Sequence, residues 1–425
     1  MRIKIANGRI IDPANKLDKK GDIYIADGEI IAIDTQPDGF SPDRIIAADR
    51  QIVMPGLVDL SARLREPGEE YKANITSETT AAAASGITSI CCPPDTIPVI
   101  DSSSVVELIL QRTLDANKSN VYPLGAMTSG LKGETLAEMW ELKTAGCVGV
   151  SNGFISIENT EVLRRSLEYA STCNLTVHLF CEDNYLQNNG VVHEGTMNIR
   201  LGLPAIPETA ETIAISKVLL LLEQCDTRVH FCRISSRRGM ELIAEAKRQG
   251  LQITADVAIT HLFLTEVDVD NFNSLCHLRP PLRGHGDREA LVKGVAEGII
   301  DAICSDHQPH EMDAKAAPFS MTEPGASTID CLLPLSMQLE NEIGVERVIE
   351  ALTVKPAGIL GIDAGTLAPG SRADICIFDP DKLWTVSNKE ISSAGKNSPF
   401  EGWEMAGKVT CTLLSGNEVF SANNT

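Results

Sequence analysis

The 425-residue sequence lacks the features of membrane, secreted and nucleic-acid-binding proteins. It has no run of 18 apolar residues, which a membrane-spanning helix requires. Its start, MRIKIANGRIIDP, alternates apolar and polar residues and so does not resemble a signal peptide. Only 37 basic side chains accompany 58 acidic ones, and the net charge of -21 repels nucleic acid and anionic lipid. We expect a cytoplasmic protein that binds neither nucleic acid nor membranes.

The twelve cysteines form no CxxC pair and no disulfide-rich pattern. Several lie in apolar runs such as TSICC and DAICS, where a free cysteine packs like a small hydrophobic residue. We therefore interpret the cysteines as core residues in a reducing compartment. Cys91, Cys181 and Cys304 lie at the ends of predicted strands, so a nucleophilic role stays open for them, although no histidine is assigned to activate one.

Two kinds of pattern divide the chain. Residues 1–54 and 365–425 show short alternating segments with turn residues between them, which predict antiparallel strands that pair in one composite β domain. In residues 55–364, apolar runs rich in β-branched residues alternate with amphipathic segments. The eight runs are 57–61, 87–91, 121–125, 147–151, 175–181, 228–234, 251–257 and 299–305. This order predicts an α/β fold, a (β/α)8 TIM barrel carrying a small β domain built from both chain ends.

Several segments resemble, in the same order, those of dihydroorotases of the amidohydrolase superfamily. They are MPGLVDLSARLREPGEEYKANITSETTAAAASGITSICCPPDTIPVID, VVHEG, HLRPPLR, SDHQPH, KPAGILGIDAGTLAPGSRAD and SPFEGWEMAGKV. The resemblance covers nearly the whole chain and implies an amidohydrolase-type barrel. In that family, one or two zinc ions activate water for the reversible opening of the cyclic amide of dihydroorotate.

The resemblance also implies where metal ligands should stand, and most of them are missing. The degenerate metal positions are Ser61 and Arg63 for an H-x-H pair, Asn152 and Gly153 for a bridging acid, and Phe180 and Arg233 for two later imidazoles. Only Asp306, at the family's general-base position, remains. At an effective dielectric near 20, a guanidinium about 4 Å from a dication costs roughly 8 kcal/mol. We therefore expect no zinc and no other metal at these positions.

Arg63 and Arg233 suggest what replaces the metal. We hypothesise that the two guanidinium groups take over its positive charge and pair with Asp306 in the barrel mouth. The alternative is that both arginines point into solvent from the strand ends.

The other histidines do not rebuild the ligand set. His178 shares the strand face of Phe180 but lies about 6 to 7 Å deeper at ~3.3 Å per residue. His230 is three residues from Arg233 and is expected on the opposite face. We expect structural or hydrogen-bonding roles for these two and for His193, His261, His277, His307 and His310, with a new metal site as the less favoured alternative.

The substrate-binding positions implied by the resemblance are also altered. Arg65 stands at the family's carboxylate-binding arginine and is the one recognition residue retained. Asp95 and Arg279 replace asparagines, and Asp95 places a negative charge where an anionic substrate would bind. We expect the retained EPG, PPLR and DHQPH motifs to preserve loop geometry rather than chemistry.

These features favour a catalytically inactive dihydroorotase homologue without catalytic residues or cofactors. By family resemblance, such a chain would act in pyrimidine biosynthesis as an assembly subunit for the catalytic chain of aspartate transcarbamoylase, in homo- and hetero-oligomers. A second hypothesis is a cyclic amidohydrolase of altered chemistry, either with a single metal or metal-free, with Asp306 as base. A third is a regulator that binds a pyrimidine precursor through Arg65 without turnover.

Overall fold

Strands from both ends of the chain pair in one sheet in the computed structural model, which describes residues 1 to 422. The strands are β1 (Arg2–Asp12), β2 (Leu17–Ala26), β3 (Glu29–Ile33), β4 (Arg44–Ala47), β5 (Ile52–Pro55), β16 (Ile375–Thr385), β17 (Glu404–Leu414) and β18 (Asn417–Ser421). Their order is β18-β17-β16-β5-β1-β2-β3, and β4 pairs with β1. The two ends meet where β5 runs antiparallel to β16, with Ile52 opposite Phe378. The predicted pairing of N-terminal and C-terminal strands is confirmed.

Eight parallel strands between these ends form the barrel. They are β6 (Leu57–Asp59), β7 (Ile87–Cys92), β8 (Asn120–Ala126), β9 (Gly149–Ser151), β10 (Thr176–Phe180), β13 (Val229–Cys232), β14 (Ile253–Ala258) and β15 (Ala302–Cys304). Each strand lies within or overlaps one of the eight predicted segments. The first and last strands meet beyond their ends, where His307 donates its N–H to Ser61 O at 3.1 Å and Arg63 donates to His307 O at 2.9 Å. The predicted TIM barrel is confirmed.

Helices surround the barrel, as the alternation of patterns predicted. They are α1 (Ile75–Ala84), α2 (Ser103–Ala116), α3 (Met139–Ala145), α4 (Thr160–Thr172), α5 (Asn184–Gln187), α6 (Thr196–Leu201), α7 (Thr209–Leu222), α8 (Arg237–Arg248), α9 (Ile259–Phe263), α10 (His285–Ala296), α11 (Leu332–Gln338), α12 (Glu340–Ile343), α13 (Val345–Leu352) and α14 (Val354–Leu360). A small parallel pair, β11 (Val192–His193) and β12 (Ala205–Ile206), lies in the long loop after β10. Asn159 caps α4 by accepting hydrogen bonds from Glu161 N and Val162 N.

The barrel strands are buried because helices cover their outer face and side chains fill the interior. Every residue of β7 is buried. At the junction with the terminal sheet, Gly86 adopts a φ of +80°, and a β-carbon there would lie 2.4 Å from Cys376 Sγ on β16. This close approach and the positive φ both require glycine. In residues 1 to 422, no helix is long and apolar enough to cross a membrane.

The loop between β16 and β17 leaves the terminal sheet and binds the barrel. Ser393 Oγ donates to Glu78 Oε2 at 2.7 Å, and the same carboxylate oxygen lies 2.7 Å from His307 Nε2. Farther along the loop, Asn397 Nδ2 donates to Gln308 O at 3.0 Å. Because His307 and Gln308 follow β15, this loop supports the rim of the barrel at the carboxyl ends of its strands.

Candidate functional site

Two arginines and one aspartate meet in the mouth of the barrel. Arg63 Nη1 lies 3.6 Å from Asp306 Oδ1, Arg233 Nη1 lies 3.4 Å from the same oxygen, and none of the three side chains is more than 10% exposed. Arg233 Nη1 also donates to Ser61 Oγ at 2.9 Å. The expected pairing of both arginines with Asp306 is confirmed, and the alternative that they point into solvent is wrong.

The backbone after β13 explains how Arg233 reaches the mouth. The strand ends at Cys232, and Arg233 adopts a left-handed φ of +55°, which ends the alternation of side chains. His230 nevertheless lies in the barrel interior, with Nε2 2.9 Å from Asp256 Oδ2 on β14. The expectation that His230 and Arg233 face opposite ways is therefore wrong, because alternation holds only while the backbone stays extended. Asp306, with a φ of +47°, follows β15 in the same conformation.

Asp95 is the principal partner of Arg63. Arg63 Nε and Nη2 donate to Asp95 Oδ2 at 2.9 and 2.8 Å. Burial alone would raise the pKa of Asp95, but the charge and hydrogen bonds of Arg63 outweigh it and lower that pKa. At Asp306, burial prevails and raises the pKa, although Arg233 and Arg63 oppose the rise. From the sequence, the negative charge of Asp95 was expected only to oppose an anionic substrate. In the structure, this charge neutralises Arg63, which stands at one of the degenerate metal positions.

Two aromatic rings fill the space between the cations. The guanidinium carbons of Arg63, Arg233 and Arg279 lie 4.2, 4.9 and 5.1 Å from the centre of the Phe154 ring. Phe180 packs edge-on against Phe154, with their ring centres 4.9 Å apart. These distances are typical of cation–π and aromatic contacts. Phe154 was not predicted from the sequence. It follows Gly153 in the loop after β9, and its place next to the degenerate acid positions is the only sequence feature that could have indicated its role.

Arg279 has its own carboxylate partner. Its Nε donates to Glu182 Oε2 at 2.6 Å, and Glu182 is almost fully buried. Burial raises the pKa of Glu182, and Arg279 opposes this rise. Glu182 was not predicted, although it follows the Phe180 position by only two residues. The mouth therefore contains three guanidinium groups and three carboxylates.

Asn152 and Gly153, which stand at the positions of the family's bridging acid, have structural roles. Asn152 Oδ1 accepts from Thr128 Oγ1 at 2.7 Å, and Asn152 Nδ2 donates to Ile155 O at 2.9 Å. Gly153 adopts a φ of +59°. Both residues shape the loop that carries Phe154, and neither offers a metal an anionic ligand.

Zinc does not fit the residues of this mouth. Structural and catalytic zinc sites use three or four thiolate, imidazole or carboxylate ligands. Asp306 is the one acid at the family's ligand positions, and two guanidinium groups already contact it. A cavity of about 30 Å³ lies beside Asn152 and Phe180, and one of about 10 Å³ lies beside Arg63 and Asp95.

Arg65 binds the rim of the mouth. Its Nε donates to Pro309 O at 2.9 Å, Nη1 donates to Glu69 Oε2 at 3.0 Å, and Nη2 lies 3.1 Å from His310 Nε2. Nε and Nη1 thus have fixed acceptors, and Nη2 has one in the His310 tautomer whose Nε2 is unprotonated. Arg65 therefore links the loop after β6 to the loop after β15.

Most of the remaining histidines have the expected hydrogen-bonding roles. Their ring nitrogens lie within 3.3 Å of a partner atom: His193 of Arg283 Nη1, His261 of Thr260 Oγ1 and Pro281 O, His277 of Thr322 Oγ1, His307 of Glu78 Oε2, and His310 of Pro324 O. His178 differs, because both of its ring nitrogens are buried without a hydrogen-bond partner among residues 1 to 422. Of the two expected roles, structural or hydrogen-bonding, the hydrogen-bonding one is therefore wrong for His178.

Burial opposes a nucleophilic role for the three cysteines at strand ends. Cys91, Cys181 and Cys304 are all free and buried. Burial raises the pKa of each thiol. A raised thiol pKa disfavours the thiolate that nucleophilic catalysis needs.

Comparisons with known proteins agree with the barrel and its loops. The Dihydro-orotase-like family model matches residues 50–239, and the Amidohydrolase family model matches residues 273–419. A "Dihydroorotase-like protein" of Pseudomonas putida is 48% identical over 419 residues, covering 98% of this chain and 99% of that protein. A "Dihydroorotase" of Geobacter sp. (strain M21) is 39% identical over 427 residues, covering 99% of this chain and 100% of that protein.

A solved structure shows the same fold. The L-hydantoinase (dihydropyrimidinase) from Arthrobacter aurescens matches with a TM-score of 0.88 over 99% of this chain and 96% of that chain. Its sequence identity is 23%, so the match concerns the fold alone.

Proposed function

Because this chain belongs to the dihydroorotase-like family of amidohydrolases, we propose that it is a catalytically inactive member acting in pyrimidine biosynthesis. In this proposal, it serves as an assembly subunit for the catalytic chain of aspartate transcarbamoylase. The observation that carries inactivity is the pairing of Asp306 with Arg63 and Arg233 in the barrel mouth.

The geometry of Asp306 supports the loss of catalysis. A general base must reach the proton that it removes, directly or through one water. Asp306 Oδ1 contacts both guanidinium groups, and Asp306 Oδ2 accepts from Gln308 Nε2 at 3.1 Å. No metal is needed for charge balance here, because arginines pair with the buried acids. We therefore propose that the mouth works without zinc.

The intact framework around this mouth supports a structural role. The barrel, the terminal sheet and the rim loops are all formed although the ligand set is missing. Such a chain retains its surface for contacts with other subunits. The identity of the partner, and the expectation of homo- and hetero-oligomers, rest on family resemblance.

Co-expression with the catalytic chain of aspartate transcarbamoylase from the same organism tests the assembly role. We expect the two chains to elute as one large complex in gel filtration at micromolar concentration. An active zinc dihydroorotase from another organism, expressed in place of this chain, is the matched control. Separate elution of the two chains would contradict the proposal.

The second candidate is a cyclic amide hydrolase, consistent with the name of the relative at 39% identity. In such an enzyme, Asp306 would act as base and the two arginines would stabilise the oxyanion. Assays with dihydroorotate and hydantoin separate the candidates. Inactivity with both substrates supports the assembly subunit, whereas turnover that Asp306→Ala abolishes supports the hydrolase. Saturable orotate binding without turnover, dependent on Arg65, would indicate a ligand-binding regulator.

A further inference from the structure

Three metal-binding side chains gather in the barrel interior, below the arginines of the mouth. His178 on β10 stands opposite His230 on β13 in the strand register, and their ring centres are 5.1 Å apart. Cys232 lies two residues beyond His230 on the same strand. One ligand atom from each of the three residues lies within 4.8 Å of the other two. This cluster, the His178–His230–Cys232 cluster, shares no residue with the ligand positions implied by the family.

His178 supplies a second, independent observation. Its side chain is 1% exposed, and neither Nδ1 nor Nε2 has a hydrogen-bond partner among residues 1 to 422. Buried polar groups are nearly always paired, so an imidazole with two unpaired nitrogens needs an explanation. Burial lowers the pKa of His178 to about 3, which leaves the ring neutral with a lone pair to donate.

The neighbouring strand makes room for this ring. A β-carbon on Gly149 of β9 would lie 2.9 Å from Cδ2 and 3.0 Å from Nε2 of His178. Any larger residue at Gly149 would press against the imidazole. The absence of a side chain at Gly149 therefore allows His178 its position beside His230.

His230 has the supporting contact that metal-bound histidines usually have. Its Nε2 lies 2.9 Å from Asp256 Oδ2, and its Nδ1 lies 2.9 Å from Thr254 Oγ1. A carboxylate on one ring nitrogen orients the ring and strengthens the other nitrogen as a ligand. Metal binding would then replace the Thr254 contact and keep the Asp256 contact.

A cavity lies at the lower end of the barrel, near the cluster. Thr254 lines this cavity of about 700 Å³ together with Thr176, which lies two residues before His178.

We infer that His178, His230 and Cys232 form a buried binding site for a zinc-class divalent cation, separate from the family's metal positions. Two imidazoles and one thiolate suit zinc, which takes nitrogen and sulfur ligands in tetrahedral geometry. Binding releases the thiol proton of Cys232 to solvent and forms the sulfur–metal bond. Tetrahedral bonds of about 2.0 to 2.3 Å require the ligand atoms to move closer by about 1 Å. The site does not depend on the proposed assembly role.

Elemental analysis and cobalt substitution test the site on the full chain. Protein produced with zinc present and then desalted should contain about one equivalent of zinc. Cobalt added to metal-free protein should produce a thiolate-to-cobalt charge-transfer band in the near ultraviolet. Cys232→Ser should remove this band, and His178→Phe should weaken cobalt binding about 10- to 100-fold or more.

Cys181→Ser is the matched control, because Cys181 is a buried, free cysteine beyond the end of β10 and outside the cluster. It should keep both the zinc and the band. Gel filtration and circular dichroism check that each variant folds. Phenylalanine is chosen at position 178 because the ring nitrogens of His178 have no hydrogen-bond partners to lose. Wild-type protein that takes up neither zinc nor cobalt would overturn the inference. So would metal content and absorption that stay unchanged in folded Cys232→Ser and His178→Phe.

Discussion

The barrel mouth has two regions, the rim loops and the side chains that these loops surround, which we call the inner ring. The two regions differ in how closely they follow the family's motifs. The rim retains motifs such as EPG and DHQPH, and its residues bind one another: Arg65 donates to Pro309 O at 2.9 Å, and His310 N donates to Asn397 Oδ1 at 2.9 Å. Inside the rim, Ser61, Phe180 and Arg233 replace expected ligands. The framework of the mouth thus persists although most of the family's ligand residues are replaced.

Charge balance explains why the inner ring tolerates these changes. Arg63 pairs with Asp95, Arg279 pairs with Glu182, and Asp306 lies between Arg63 and Arg233. Breaking a buried pair by removing one partner is costly, whereas exchanging both partners is often tolerated. The comparison predicts that single substitutions inside the ring destabilise the protein more than substitutions of similar pairs at the surface.

The largest effect is expected for Arg233→Met. This change leaves Asp306 buried with Arg63 Nη1, at 3.6 Å, as its remaining guanidinium partner. We expect the free energy of unfolding to fall by about 3 to 5 kcal/mol in urea denaturation. Arg233→Met with Asp306→Asn should recover most of that loss. Equal stability of Arg233→Met and the wild type would show that the ion pair contributes little.

A pH-dependent effect is expected at Asp59, which is bonded to Ser305 rather than to an arginine. Burial raises its pKa to about 6, opposed by the hydrogen bonds from Ser305 and Ser61. Between about pH 4 and 6, the folded state therefore binds more protons than the unfolded state, and stability falls as pH rises. Relative to Asp59→Asn, the wild type should lose about 2 to 3 kcal/mol over this range, from about 1.36 kcal/mol per pKa unit. Parallel pH profiles of the two proteins would contradict the raised pKa.

Phe154→Ala should have a somewhat smaller effect. It removes the ring that contacts three guanidinium groups, while the ion pairs remain. We expect a loss of about 2 kcal/mol in the free energy of unfolding from lost packing and cation–π contacts. Phe154→Leu is the control that keeps apolar volume without the aromatic face. A leucine variant as unstable as the alanine variant would assign the loss to the aromatic face, whereas an alanine variant as stable as the wild type would contradict the prediction.

The smallest effect is expected for Arg164→Ala on the outer face of α4. Arg164 pairs with Glu161 at 2.9 Å and Glu168 at 2.7 Å, but its side chain is 35% exposed. Exposed pairs contribute about 0 to 1 kcal/mol because water screens them. A change as large as that of Arg233→Met, measured in the same urea series, would refute the distinction between mouth and surface.

The sequence predicts the fold well because repeated patterns carry the information. Eight apolar runs correspond to eight barrel strands, and Asn159 indicates the start of α4. The partners within the mouth are harder to predict, because they follow different strands. Sequence spacing does not show that Asp95 contacts Arg63 or that Glu182 contacts Arg279. Strand alternation also fails at positive φ, as at Arg233.

The pairing of β5 with β16 has a consequence for synthesis of the chain. β5 cannot pair with β16 until Phe378, which lies opposite Ile52, has been synthesised. At roughly 5 to 20 residues per second, a ribosome needs on the order of tens of seconds to make the intervening chain. During that interval, the nascent N-terminal strands expose an unpaired edge to chaperones and to other copies of themselves.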